Sequence, residues 1–569
     1  MLRAMRSLPS VAVATAVAAL SLVVPAAAAA TPETPHPKLV VVISIDQFSA
    51  SLFEQYRPDF KGGLGRLARE GVVYPSGYQS HGMTETCPGH STLLTGKYPN
   101  KTGIVANDWY DVTTGQKTYC LGDPSVTLAH DPSAKGVSPK LLMASTYGEW
   151  LKAASPGSRV YAVSGKDRGA INMAGHGADG VFWLAPGFGF TTWVEPGQDA
   201  KARLAPVAAL NLKLAADLKD HPFTWTYADK ACAAKEGDYE TGGRKWRAAL
   251  PLPKPANAAD AARDLSTSPY TDRVTLEAAR TLREEFRLGD GPATDVLAIS
   301  LSATDFIGHR FGTKGPEMCD HLMRLDARLG EFLDSLDKVK GPVLVVLAAD
   351  HGGSDFPERL HEQGYDAGRV PPIAWLQDLN AAVRGQLGLA YDPLVQAGGI
   401  ESLYVVSPDG KAPTVLDHAR ITAAALAVLA KRPEVFAAYD ANTLFTAAPP
   451  PKGTPPDEIS VAERMRRSAY PGRVGDILVA FQPYQTPASP NASYVASHGS
   501  PWNYDRRVPI LFWWKGGQSR ERVLPIETVD IAPTIASVTG VKVPADVDGR
   551  CLPLQLPELR ARASSAMCE

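Results

Sequence analysis

Four short runs of almost wholly apolar, largely β-branched residues constrain the fold of this chain more than any other feature. They occupy residues 38–45, 159–164, 295–301 and 343–349. Runs of this kind are typical of strands buried on both faces of a parallel sheet. Helical patterns lie between them, one over residues 271–286 and one with leucines in a stripe from 322 to 336. The alternation predicts an α/β fold, a three-layer sandwich with a central, mostly parallel sheet.

Two stretches interrupt the alternation, near residues 185–270 and 355–480. Both are rich in Pro, Gly, Ala and polar residues. We expect them to be large insertions that form a cap, rather than sheet. Residues 31–569 are then expected to form one domain that carries both insertions.

The first thirty residues have the pattern of a secretory signal peptide. Arg3 and Arg6 precede an acid-free apolar run, and an alanine-rich stretch ends at Ala30. An uncleaved membrane anchor is the alternative, but Pro25 and the Ala-x-Ala sequences favour cleavage near residue 30. The chain is therefore expected to be periplasmic or secreted, with no membrane-spanning segment. Its six cysteines suit an oxidising compartment, and their fifteen possible full pairings stay open.

The charge of the chain is nearly balanced. Lys and Arg together number 58, against 60 Asp and Glu, and no basic cluster stands out. Nucleic-acid binding normally needs a basic patch or stripe. We therefore expect no nucleic-acid partner.

Carboxylate and imidazole side chains follow three of the predicted strands. Because the carboxyl ends of parallel strands meet at one edge of a sheet, these side chains are expected to converge. The i, i+4 spacing of Asp305 and His309 would place both on one face of a helical turn. Oxygen and nitrogen ligands without thiolate fit Zn²⁺ better than Mg²⁺ or Ca²⁺. The candidate ligands are Asp46, Asp305, His309, Asp350, His351 and, from a later segment, His498.

The segment 84–96 has the features of a nucleophile at the start of a helix. Pro88 suits the first helical turn and Gly96 a C-terminal stop. A hydroxyl at a helix N-terminus is well placed to become an alkoxide and to meet phosphate oxygens. Thr86 is the candidate, and a simple N-cap role for it is the alternative.

In this order, the six candidate ligands and Thr86 resemble the alkaline phosphatase superfamily. The resemblance covers about residues 38–550 and is strongest to its secreted branch with a threonine nucleophile, which is related to type I phosphodiesterases and nucleotide pyrophosphatases. It implies an alkaline-phosphatase-like fold and two zinc ions per chain, with Ca²⁺ or another divalent ion left open in one site. It assigns one ion to Asp305, His309 and His498, and the other to Asp46, Asp350, His351 and the Thr86 oxygen.

The resemblance also implies a reaction. Thr86 would attack phosphorus to give a phospho-threonine intermediate that water then hydrolyses. In the family an Asn at the position of Asn107 donates to a non-bridging oxygen, and the Lys-x-Arg of Lys166 and Arg168 resembles that of phosphate-monoesterase members. We therefore predict a monomeric alkaline phosphatase acting on small phosphate monoesters. A phosphodiesterase or nucleotide pyrophosphatase of the same superfamily, and a zinc- or phosphate-binding protein without catalysis, are the alternatives.

Sulfatases of the superfamily have their modified cysteine in the corresponding segment. Aligned through Pro88 and Gly96, the nucleophile position falls on Thr86, and Cys87 is one residue late. His90 occupies the place of the sulfatase arginine. The register argues against formylglycine chemistry and predicts that Cys87 is a disulfide or a packed thiol.

Overall fold

The apolar runs form neighbouring strands of one sheet. In the computed structural model, which describes residues 36–451, 453–491 and 494–554, this sheet has ten strands. The predicted signal peptide, residues 1–30, lies outside the described residues. Across the sheet the order is Arg520–Glu521, Val72–Tyr78, Arg507–Trp514, Val343–Ala348, Leu39–Ile45, Asp295–Leu301, Val160–Ser164, Gly180–Ala185 and Gly189–Thr191, and Ile526–Glu527 pairs with Val72–Tyr78.

The middle of the sheet is parallel. Five neighbouring strands, from Val343–Ala348 to Gly180–Ala185, run in the same direction. Antiparallel neighbours flank them on both sides, Arg507–Trp514 on one and Gly189–Thr191 on the other. Ile45 lies opposite Leu301 in the register, so the chain leaves these two strands side by side. The predicted central, mostly parallel sheet is confirmed.

Helices cover both faces of this sheet. Every residue of the Leu39–Ile45, Asp295–Leu301 and Val343–Ala348 strands is buried, as expected for strands packed on both sides. The α-helices are Ala50–Tyr56, Gly63–Glu70, Thr86–Thr95, Pro99–Thr102, Tyr147–Ala154, Asp167–Ala174, Ala200–Asp220, Ala258–Ser266, Tyr270–Glu285, Ala303–Phe311, Pro316–Ser335, Pro357–Glu362, Pro372–Leu387, Val415–Leu429, Ala441–Thr446, Val461–Ser468, Asn503–Arg506 and Ile531–Thr539. Short 3₁₀ helices lie at Pro139–Leu141, Lys230–Lys235, Leu336–Lys338 and Thr528–Asp530. Of the helices described, none combines the length and the apolar character that a membrane crossing requires.

The stretch 355–480 contains more β-structure than its composition predicts. Four antiparallel strands form a second sheet in the order Leu394–Val395, Ser402–Val405, Ile477–Phe481 and Val435–Asp440. This sheet packs on its own apolar core, which includes Trp375, Leu379 and Ile421. The expectation that this stretch would lack sheet is wrong, because its strands are short and the Pro- and Gly-rich loops between them dominate the composition.

The stretch 185–270 also contains strands. Gly189–Thr191 extends the central sheet, and Gly237–Thr241 forms a hairpin with Arg244–Ala248. For the stretch 185–270 too, the prediction of no sheet is wrong.

Three further two-stranded sheets are Asp108–Asp111 with Gln116–Tyr119, Thr127–Leu128 with Trp193–Val194, and Gly368–Arg369 with Gln485–Thr486.

Two disulfides whose cysteines both lie among the described residues tie loops to this framework. Cys87 pairs with Cys120, and Cys232 pairs with Cys319. Cys87 is thus in a disulfide, one of the two states predicted for it. Disulfides are typical of proteins that fold in an oxidising compartment.

Candidate active site

The carboxyl ends of four parallel strands bring polar residues to one edge of the sheet. Asp46 directly follows Leu39–Ile45, and Asp350 follows Val343–Ala348 after one residue. The Asp305 helix, Ala303–Phe311, begins two residues after its strand. Lys166 follows Val160–Ser164. The parallel direction of these neighbouring strands therefore brings the four residues to one edge of the sheet, as the sequence predicts.

Asp305, His309 and His498 form one group of potential metal ligands. His309 lies one helical turn after Asp305, and its Nε2 is 3.2 Å from Asp305 Oδ1. His498 Nε2 approaches the same oxygen at 3.3 Å from a separate loop. The three side chains predicted for one metal are thus together.

A second group contains Asp46, Asp305 and His351. His351 Nε2 lies 3.4 Å from Asp46 Oδ1 and also 3.4 Å from Asp350 Oδ2. The geometric group therefore includes Asp305 where the resemblance names Asp350, although Asp350 is adjacent. The rings of His351 and His498 stack at 3.7 Å between centroids, so the two groups are neighbours.

Backbone carbonyls orient all three histidines in the same way. The Nδ1 atoms of His309, His351 and His498 lie 2.8 Å from the carbonyl oxygens of Ala496, Gly352 and Thr84 respectively. A carbonyl oxygen only accepts, so Nδ1 carries the proton and donates. In each ring Nε2 is then the nitrogen that faces the site, the arrangement typical of metal-binding histidines.

The buried atoms of this site fit a divalent metal. Asp46 Oδ1 and His351 Nε2 are buried and have no hydrogen-bond partner. Buried acceptors without a partner are costly, and a cation bound between them would remove that cost. Carboxylate oxygens and imidazole nitrogens are the ligands expected for Zn²⁺.

The buried carboxyl groups of the site also favour the binding of cations. Burial raises the pKa of Asp46 well above its ordinary value, and the carboxylates of Asp305 and Asp350 raise it further. Burial lowers the pKa of His351 to about 3, which keeps the ring neutral and able to act as a ligand. Burial acts against a charge on His498, but its hydrogen bond to Asp305 raises the pKa of that ring to about 9. The clustered carboxylates therefore draw positive charge to the site.

The Thr86 helix, Thr86–Thr95, packs directly on the Asp350 backbone. A Cβ at Gly89 would lie 2.1 Å from the carbonyl oxygen of Asp350, so only glycine allows this approach. His90 of the same helix places Nδ1 2.9 Å from Thr86 O and 3.0 Å from Asp350 Oδ2. Thr86 is the first helical residue and is 1% exposed. Thr86 thus lies at a helix N-terminus beside the candidate metal ligands.

Asn107 is held against the start of the Thr86 helix. Its Oδ1 accepts from the backbone N–H of Cys87 at 2.9 Å. Its own backbone N–H donates to Glu85 Oε2 at 2.8 Å. Among the described residues, no hydrogen-bond partner occupies the Nδ2 of Asn107, so this donor is free for a ligand.

Lys166 and Arg168 bring two cationic side chains to the site. The Nζ of Lys166 donates to Asp46 Oδ2 and to Asp305 Oδ2, at 2.5 Å each. Burial acts against the charge of Lys166, but these two carboxylates raise the pKa of the lysine above its ordinary value. Burial acts likewise on Arg168, where the Tyr119 phenol and the Asp167 carboxylate raise the pKa. Both side chains are therefore positively charged.

Gln47 is a site residue that sequence reasoning missed. Its backbone N–H donates to Asp350 Oδ1, and its Nε2 donates to Asp305 Oδ1, at 3.2 Å each. Its φ of 65° is uncommon for a residue other than glycine. A Cβ at Gly308 would lie 1.7 Å from Gln47 Oε1, so the glycine makes room for it. The Gly between Asp305 and His309 was the available sequence signal.

Asp272 is a second missed residue. The Asp305 helix receives no cap from the side chain of its own N-cap residue, Ser302. Asp272, from the Tyr270–Glu285 helix, supplies one, because its Oδ1 accepts from the backbone N–H of Ala303 at 2.9 Å. Burial raises the pKa of Asp272 to about 7. Sequence gives no sign of this cap, because it comes from a different helix.

Comparison with known proteins places the chain in a group of hydrolases. The family model for type I phosphodiesterase/nucleotide pyrophosphatase matches residues 40–487. Alkaline phosphatase PhoK of Sphingomonas sp is 40% identical over 548 residues, which cover 92% of each chain. Alkaline phosphatase PhoD of Zymomonas mobilis subsp. mobilis is 38% identical over 541 residues, or 93% of this chain and 91% of PhoD.

The fold is similar to that of a solved alkaline phosphatase. The crystal structure of wild-type PafA superimposes with a TM-score of 0.79 at 25% identity, over 91% of this chain and 99% of PafA. A PafA variant with one threonine, one asparagine, one lysine and one arginine substituted gives a TM-score of 0.76 at 25% identity, over 91% of this chain and 98% of the variant. The similarity spans nearly the whole of each chain.

Proposed function

The chain belongs to the type I phosphodiesterase/nucleotide pyrophosphatase family and is an alkaline phosphatase within it, and from this premise we propose how it hydrolyses phosphate monoesters. We propose that Thr86 is the nucleophile and that two zinc ions are bound beside it. One observation carries the proposal: the Thr86 helix begins where buried carboxylates and the Nε2 atoms of three histidines converge.

The proposed metal ligands follow the two groups of side chains. Asp305, His309 and His498 would hold one ion, and Asp46, Asp350, His351 and the Thr86 oxygen the other. Asp305 is a member of both groups, so it lies next to both proposed sites. Zinc bound there would lower the pKa of a hydroxyl and offset negative charge on the leaving oxygen.

The residues of the chain then carry the reaction in two displacements. Thr86 Oγ forms a bond to phosphorus while the bond from phosphorus to the ester oxygen breaks, and the alcohol leaves. Water next attacks the phospho-threonine, which releases inorganic phosphate and restores Thr86. The N-terminus of the Thr86 helix favours the negative charge that develops on these oxygens.

Asn107, Lys166 and Arg168 would bind the non-bridging oxygens. A monoester dianion carries more charge than a diester monoanion and gains more from two nearby cations. The free Nδ2 of Asn107 and the charged side chains of Lys166 and Arg168 supply such donors. The substituted PafA variant supports the assignment, since its four residue types match Thr86, Asn107, Lys166 and Arg168 in order, with the same spacing within each pair.

We also propose that the protein is exported to the periplasm or the medium. Residues 1–30 would be the signal peptide, removed on export. The disulfides Cys87–Cys120 and Cys232–Cys319 support this location, because thiols stay reduced in the cytosol.

Removal of metal tests the proposed cofactor. Dialysis against a chelator should lower kcat for p-nitrophenyl phosphate by more than about a thousandfold, and added Zn²⁺ should restore it. Metal analysis should give two zinc ions per chain in the wild type and about one after His309→Ala. Circular dichroism of the chelated protein is the control for unfolding. Full activity in metal-free protein would contradict the proposal.

A further inference from the structure

The hairpin formed by Asp108–Asp111 and Gln116–Tyr119 stands apart from the central sheet. It is a two-stranded sheet of its own, and Gln116 and Lys117 are exposed. A hairpin of two short strands is marginally stable by itself in water. Its contacts with the rest of the protein include Trp109, which is buried in the main apolar core, and Tyr110, whose hydroxyl donates to Gly410 O. Asn107 and Cys120 flank its open end, so an element outside the central sheet carries a residue proposed to bind substrate.

A disulfide attaches this open end to the Thr86 helix. Cys87 is the second residue of that helix, Cys120 directly follows the hairpin, and both are fully buried. Asn107 lies between them. Its Oδ1 accepts from the N–H of Cys87, and its backbone carbonyl accepts from the N–H of Cys120, at 2.9 Å each. The disulfide therefore joins the two residues to which the side chain and the backbone carbonyl of Asn107 are hydrogen-bonded.

Tyr119, at the open end of the hairpin, contacts the segment that carries Arg168. The Tyr119 hydroxyl donates to Asp167 Oδ1 at 2.8 Å. The same oxygen accepts from the backbone N–H of Arg168 at 2.7 Å. The Tyr119 phenol also adjoins the Arg168 side chain. Tyr119 and Asn107 thus connect one hairpin end to two proposed oxygen ligands.

We propose that the hairpin closed by the Cys87–Cys120 disulfide is a positioning element, which holds Asn107 and Arg168 at the phosphoryl group that Thr86 attacks. The inference rests on the proposed function, in which these two side chains bind the non-bridging oxygens. Cys87, Cys120 and Tyr119 act through those ligands and do not touch the substrate. Groups that orient ligands in this way typically change affinity or activity by 10- to 100-fold when lost.

If removal of the Cys87–Cys120 disulfide lowered activity, a general loss of stability would be the competing explanation. The Cys232–Cys319 disulfide allows the positioning role and the stability effect to be tested separately. Cys232 and Cys319 are 87 residues apart, against 33 for Cys87 and Cys120. In the loop-entropy model the longer loop gives the larger stabilisation. If disulfides served only stability, removal of Cys232–Cys319 should therefore be at least as harmful.

The experiment compares zinc-loaded Cys87→Ala/Cys120→Ala with Cys232→Ala/Cys319→Ala as the matched control. We would measure kcat and KM for p-nitrophenyl phosphate, the Kd of inorganic phosphate by calorimetry, and Tm. The first variant should lose on the order of 10- to 100-fold in kcat/KM and bind phosphate correspondingly more weakly. The control variant should keep its kcat/KM and its affinity for phosphate, whatever its Tm. Equal losses in the two variants would overturn the proposal.

Two further variants complete the test. Tyr119→Phe keeps the disulfide and the aromatic ring, so it decides the matter if the cysteine variant does not fold. It should weaken phosphate binding about tenfold, because a hydrogen bond in a charged network is lost, and unchanged binding would overturn the role of the hairpin. Asn107→Ala tests the premise separately. If it leaves phosphate binding unchanged, the proposed function of Asn107 fails; if it alone weakens binding, only the positioning role fails.

Discussion

Thr86→Ala is expected to lower kcat/KM for p-nitrophenyl phosphate by about 10⁴-fold or more, since the variant lacks the atom that bonds to phosphorus. Zinc and phosphate should still bind, because the aspartates, histidines and cationic side chains remain in place. The loss should therefore appear in kcat. Zinc analysis and calorimetry with phosphate are the controls for folding.

Thr84→Ala is the matched control for this substitution. Thr84 lies two residues earlier, its hydroxyl donates to the carbonyl of Ser500, and its own carbonyl, which alanine retains, accepts from His498. We expect it to lose far less activity than Thr86→Ala. Wild-type protein quenched in acid during turnover should carry phosphate on the peptide that contains Thr86. Retained turnover in Thr86→Ala, or phosphate on another residue, would show that the nucleophile is a different group.

Lys166→Ala/Arg168→Ala is expected to change the substrate preference. In the proposed function each cation faces the extra negative charge that a monoester carries and a diester lacks, so monoester kcat/KM should fall on the order of 10³-fold. Hydrolysis of bis-p-nitrophenyl phosphate should fall much less, which makes it the internal control.

Lys166 also contacts Asp46 and Asp305, so the zinc content of this variant must be measured. With zinc retained, a selective loss of monoester hydrolysis supports the assignment. Equal losses on both substrates would contradict it, because Lys166 and Arg168 would then serve the site in general and not the monoester charge.

Local sequence patterns were sufficient to predict the central sheet and the convergence of candidate ligands at one of its edges, whereas the roles proposed for Asn107, Lys166 and Arg168 come from the resemblance to the alkaline phosphatase superfamily. The β-branched runs are buried on both faces, so hydrophobicity alone identifies them. Asp46 directly follows its strand, Asp350 and Lys166 follow theirs after one residue, and strand direction brings all three to one edge. Asp305 and His309 share a helical face because of their spacing. These features depend on short segments, and sequence displays them directly.

Features that depend on packing between distant segments were not predictable in the same way. Gln47 bridges two candidate ligand residues only because Gly308 leaves space for it. Asp272 caps a helix other than its own. The cysteine pairs and the strands near 355–480 likewise arise from contacts between separate parts of the chain. A single sequence has no local pattern for such contacts.

The most direct test of the central claim is the ratio of kcat/KM for p-nitrophenyl phosphate to that for bis-p-nitrophenyl phosphate, measured with the zinc-loaded wild-type protein. Both substrates release the same chromophore, so the ratio reports the charge and the size that the site accepts. Binding of a dianion by Lys166, Arg168 and Asn107 predicts a clear preference for the monoester. A preference for the diester would contradict the account and identify the protein as a phosphodiesterase.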